Sequence, residues 1–159
     1  MDPQILPAIA GVGMSFAGFV GLFAALRQRS GSWSPIEVHM IIGIVTAGLG
    51  VVLFALAPIP LAGLFGAPGV LRIASAAFLG FALFTGVRQA RRGRRLAPDQ
   101  RGRALAFGFV GALTLVVLGP AIYTGRVELY ELGLLVGLLV PVLNFTFVVS
   151  DLAHTRDRP

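Results

Sequence analysis

The residues that could carry chemistry are few. The chain of 159 residues has two histidines, seven acids and thirteen basic residues, all arginine, with no lysine and no cysteine. Thiolate nucleophiles, thiolate metal sites and a lysine Schiff base are therefore excluded. Among the polar residues in or beside otherwise apolar stretches, Glu37 and His39 open one, and Asn144 and Thr146 sit late in another. If these stretches cross a membrane, depth brings Glu37, His39, Asn144, Thr146 and Arg27 near one membrane face. Polar groups at such depth are costly and are candidates for proton or ligand handling. Each also has a plainer role. An acid in the first turn, such as Glu37, favours the helix dipole. His39 is two residues on and points to another face. Asn144 can bridge helices or cover the carbonyl that Pro141 leaves without a partner. Capping and bridging account for the group without invoking a site.

Other constellations are weaker. Arg72 could pair with Glu128 or Glu131 on the opposite side. A channel would need Asn144, Thr146, His39, Thr46 and Ser75 to line one wet cavity. Ser15 and His39 enter their spans from opposite sides, which argues against a serine–histidine dyad. There is no HExxH, no Walker loop and no dinucleotide fingerprint. No span has paired carboxylates for a proton relay or the arginine ladder of a voltage sensor. No catalytic residue, cofactor site or metal site is expected.

The elements that position these residues follow from composition. Apolar residues make up 56% of the chain and charged residues 13%, against about 25% charged in a soluble domain. Five apolar stretches, about 5–26, 38–57, 70–87, 104–124 and 129–150, have the length a helix needs to cross about 30 Å of hydrocarbon. One all-α domain is expected, a polytopic bundle of five transmembrane helices. Ser34 and Pro35 supply an N-cap and a first-turn proline for the second helix. Trp33, Tyr123 and Tyr130 suit an interfacial belt. Residues 58–69 are too short and glycine-rich to cross and read as an interfacial loop, with a re-entrant piece as the alternative.

Charge sets the orientation. Eleven of the thirteen arginines fall on one side of such a bundle, and only Arg72 and Arg126 on the other. The positive-inside rule puts the N-terminus outside and the C-terminus in the cytoplasm. Seven of the eleven, Arg88, Arg91, Arg92, Arg94, Arg95, Arg101 and Arg103, lie in a basic loop, 88–103. That loop would also attract anionic lipid headgroups. It has no aromatic residue on which bases could stack, so nucleic acid is not an expected partner.

Small residues recur at four-residue spacing: Gly13, Ala17, Gly21 and Ala25 on the first span, Ala104, Gly108 and Ala112 on the fourth, Gly133 and Gly137 on the fifth. Such stripes let helix backbones approach closely, within a bundle or between subunits. Gly21→Leu is expected to disturb this packing. Pro141 should kink the fifth helix.

The run Phe16-Ala17-Gly18-Phe19-Val20-Gly21-Leu22, then an arginine pair, Trp33-Ser34-Pro35 and the acid Glu37, resembles a pattern in short bacterial multi-spanning membrane proteins of unassigned function. The resemblance covers the first third and implies a location, the bacterial cytoplasmic membrane, rather than a reaction. The expected role is a membrane interaction or accessory protein, alone, as a homo-oligomer or with a membrane-protein partner. A small homo-oligomeric channel or permease is the alternative, and a membrane enzyme with an unrecognised site comes third.

Overall fold

The computed structural model describes residues 4–27, 34–96 and 101–156. Six helices follow one another: α1 (Ile5–Arg27), α2 (Pro35–Leu56), α3 (Pro58–Phe65), α4 (Ala67–Leu96), α5 (Arg101–Thr124) and α6 (Val127–Arg156). Strands are absent among the described residues. Five segments are long and apolar enough to cross a membrane: α1, α2 continued by α3, α4, α5 and α6. The fold is therefore an all-α bundle with five candidate spans. Trp33 lies outside the described residues.

Successive spans run antiparallel. The close of α1, the start of α2, the close of α4, the start of α5 and the close of α6 share one end, called here the basic end. Two helices are longer than a bilayer needs. α4 and α6 have 30 residues each, about 45 Å at 1.5 Å per residue. Of the arginine-rich stretch 88–103, expected as a loop, residues 88–96 continue α4, and Arg101 and Arg103 open α5.

α6 contacts α1, α2, α4 and α5, and α2 contacts α1, α3, α4 and α6. These two helices form the middle of the bundle. The main apolar core lies toward the end opposite the arginines, where Leu6, Ala55, Leu71, Leu118, Tyr130 and Leu134 are almost fully buried. Apolar residues also cover the outside, as a lipid-facing surface requires; Val116 is 68% exposed and Leu53 62%.

Glycines set the closest approaches. A Cβ on Gly13 would lie 2.9 Å from the Gly48 carbonyl oxygen, so α1 and α2 cross backbone to backbone. Gly133 receives Leu118, and Gly137 receives the ring of Phe78. The expected stripe on α1 divides, however. Gly13 is buried and Ala17 half-buried, while Gly21 and Ala25 are exposed. Gly21 and Gly108 have no neighbour within 4 Å of a Cβ position. Those positions lie on the sides of α1 and α5 turned away from their neighbours, α2 and α6 for α1 and α4 and α6 for α5.

Residues 58–69 are mostly helical, not a loop. Pro58 and Pro60 occupy the first turn of α3, a position that proline accepts. Ala57 keeps helical angles (φ −58°, ψ −39°), so α3 nearly continues α2. Gly66 ends α3 at φ +79°. The α5–α6 turn needs Gly125 twice over: its φ is +65°, and a Cβ there would lie 2.7 Å from the Pro68 carbonyl oxygen. Tyr130, expected at the interface, is buried and donates its hydroxyl hydrogen bond to the Phe54 carbonyl. Tyr123 is 81% exposed. α6 runs on as helix through Pro141, and α5 through Pro120.

Candidate functional site

The basic end holds several polar contacts that join different spans. α2 begins with a capping box. The Ser34 hydroxyl accepts the Glu37 amide at 3.2 Å, and the Glu37 carboxylate accepts the Ser34 amide at 2.8 Å. Pro35 fills the first turn. Glu37 is 8% exposed, and its carboxylate is engaged in starting the helix, as a first-turn acid should be.

His39 is half-buried beyond that cap. Its imidazole lies near the Gln89 backbone on α4 and within electrostatic reach of Arg92. One turn further along α2 is Gly43. A Cβ there would collide with the Gln89 side-chain amide and lie 3.3 Å from the Asn144 Nδ2. The missing side chain therefore admits two carboxamides, one from α4 and one from α6. Asn144 is 5% exposed, and its Nδ2 donates to the Val140 carbonyl at 3.0 Å. The carbonyl that Pro141 leaves without an amide is that of Gly137, four residues back, so Asn144 does not cover it. Its carboxamide lies against Gly43.

α5 closes the group through Arg103. Its Nη1 is 3.9 Å from the Met40 sulfur on α2, and its guanidinium carbon stands 4.8 Å over the Phe147 ring on α6. A cation over an aromatic face at this separation is attractive. Phe107 meets the same Phe147 edge-on, with centroids 6.0 Å apart.

Of the expected cluster, Glu37, His39 and Asn144 share this end. Arg27 closes α1 there, but its side chain is outside the described set, as are those of Arg94, Arg95 and Arg101. Thr146 is exposed and donates to the Val142 carbonyl of its own helix at 2.9 Å. Thr46 is exposed, and Ser75 is fully buried on α4 with no hydrogen-bond partner for its hydroxyl. Of the five polar residues expected to line one cavity, Asn144 and Ser75 are buried, His39 is half-buried, and Thr46 and Thr146 are exposed. Arg88, Arg91 and Arg92 are exposed along α4. Gln89, Met40 and the specific position of Arg103 escaped sequence reasoning. One signal was available: Gln89 is an uncharged residue inside an arginine run, three positions before Arg92.

At the opposite end Arg126 faces Glu128 at 3.9 Å, both about 70% exposed. Arg72 is exposed and lies beside the Gly125 turn. Among the described residues no three His, Asp or Glu side chains converge as metal ligands would.

The basic end thus combines guanidinium groups, an imidazole and two carboxamides, with its acid taken up by a helix cap. Such a set suits holding an anion better than proton-transfer catalysis, which needs a base and an acid facing one reacting atom. No protein-family model, curated protein or solved structure matches the chain.

Proposed function

We propose that the protein is a membrane interaction or accessory protein of the bacterial cytoplasmic membrane, with its arginine-rich end in the cytoplasm, its N-terminus outside and anionic lipid headgroups around the basic end. The observation that carries the reading is an unused set of small-residue faces. On α1, Gly18, Gly21 and Ala25 are exposed, and on α5 so are Ala104, Gly108, Gly111 and Ala112. Lipid tails gain little from a bare glycine face, whereas a partner helix gains close van der Waals contact. The scatter of Thr46, Ser75 and Thr146 supports this reading over a pore within one chain.

Native mass spectrometry of the protein released from lipid nanodiscs tests it. The expected result is a complex, with a different membrane protein or a second copy, that Gly21→Leu and Gly108→Leu each weaken without lowering thermal stability. A strict monomer whose two variants behave as wild type overturns the reading. A homo-oligomer that conducts ions replaces it with the channel.

A further inference from the structure

We infer that Arg103 is a latch that closes the basic end of the bundle, and that this end opens along the seam between α2 and α5. The inference rests on the fold alone and does not depend on which leaflet this end faces. Among the described residues the backbones of α2 and α5 do not approach each other, while α4 and α6 each contact both. Arg103 bridges the two helices. It lies in the first turn of α5. Its Nη1 reaches the Met40 sulfur on α2 at 3.9 Å, and its guanidinium carbon stands 4.8 Å over the Phe147 ring on α6. One side chain thus joins three helices.

The layer beneath it is polar. Gly43 follows Met40 by three residues on α2, and Asn144 precedes Phe147 by three on α6, so both lie one turn deeper. There the missing side chain of Gly43 admits the carboxamides of Gln89 and Asn144. Asn144 is 5% exposed, so the layer is shut in this conformation. Two turns deeper, Phe78 and Val51 pack at Gly137 and the interior is apolar. Water that enters the polar layer hydrates carboxamides, whereas water that enters the apolar core gains nothing. Local opening therefore costs least at the basic end. The contacts that resist it are weak ones. A thioether is a poor acceptor, and a cation over an aromatic face is attractive without the fixed geometry of a paired fork. Such a latch releases and recloses readily.

The test uses the absence of cysteine from the chain. Asn144→Cys places a thiol beneath the latch, and Ser75→Cys places one at a fully buried position of α4. Each protein is labelled with a water-soluble thiol reagent in nanodiscs, where both faces are open. In the Asn144→Cys protein, Arg103→Gln should raise the labelling rate about tenfold, and Phe147→Leu should raise it too. Arg92→Gln, exposed at the same end and outside these contacts, should leave the rate as it was. Loss of a nearby cation lowers the thiolate fraction and slows labelling, so acceleration reports access. Ser75→Cys should label no faster when Arg103 is replaced. Equal acceleration at both cysteines means general loosening and overturns the latch; so does no acceleration at Asn144→Cys. Hydrogen exchange reads the same event without a cysteine. Arg103→Gln should speed exchange around Asn144 and leave that around Leu134 as it was. Unchanged exchange around Asn144 overturns the latch even where Asn144→Cys fails to fold.

Discussion

The Tyr130 hydroxyl donates to the Phe54 carbonyl, the acceptor that Pro58 leaves empty. In an unbroken helix that carbonyl would receive the amide of residue 58, which proline lacks. A buried carbonyl without a partner is expensive in an apolar interior, and a side chain 76 residues away fills the gap. The bond ties α6 to the junction of α2 and α3 where the apolar core is densest. Tyr130→Phe should therefore lower stability by about 1–3 kcal/mol. Pro58→Ala restores an amide to the same carbonyl, so Tyr130→Phe should cost less in that background. Thermal unfolding of the four proteins in nanodiscs gives the coupling. Strict additivity would mean that Phe54 does not depend on Tyr130.

The two glycines of the α1 stripe should behave differently. Gly13 faces the Gly48 carbonyl oxygen, a backbone atom that cannot swing aside, at 2.9 Å from a Cβ position. Gly13→Ala should cost about 1–3 kcal/mol through overpacking. Gly21 is exposed, with no described residue within 4 Å of a Cβ position, so Gly21→Leu should change the monomer's stability by less than about 0.5 kcal/mol. If Gly21→Leu is the more damaging of the two in a monomeric preparation, the described crossing of α1 and α2 is wrong.

What could be read from the sequence was what neighbouring residues decide. Ser34, Pro35 and Glu37 cap one another within a single turn, and their types alone announce the start of α2. Apolar length gave the five spans for the same reason. Tyr130 was misread because its burial depends on a carbonyl in a distant helix. Residues 58–69 read as a loop because they are short and glycine-rich, although a short helix that continues another need not cross on its own. The α1 stripe misled in another way: four-residue spacing places small residues on one strip, but it cannot say how far along that strip a neighbour runs. Gln89 was hidden because its partner is Gly43, a residue whose contribution is the absence of a side chain.

That junction gives a separate test. Gly43→Ala must displace the Gln89 amide and press on Asn144. The expected loss is about 1–3 kcal/mol. Gln89→Ala removes the obstructing group, so the double variant should recover most of the loss, and thermal unfolding would show it. Without recovery, the strain comes from the Asn144 side and the Gln89 contact is incidental.

Orientation can be tested with the chain's own chemistry, because it contains no cysteine to remove. Tyr123 is 81% exposed at the end opposite the arginines, so Tyr123→Cys provides one thiol there. If the basic end is cytoplasmic, a membrane-impermeant thiol reagent added to intact cells should label that cysteine. Replacing Arg88, Arg91 and Arg92 by glutamate removes three of the positive charges that retain this end, since basic residues close to span ends dominate topology and acids contribute little. Labelling should then fall as part of the population inserts the other way. The remaining arginines near the same end oppose full inversion, so a mixture is the expected result. Complete labelling in the triple variant would place the topological signal in the arginines that remain, Arg94, Arg95, Arg101 and Arg103 or those at the ends of α1 and α6. Absence of labelling in the unmodified background would reverse the proposed orientation and leave Arg92 and His39 facing the outer leaflet.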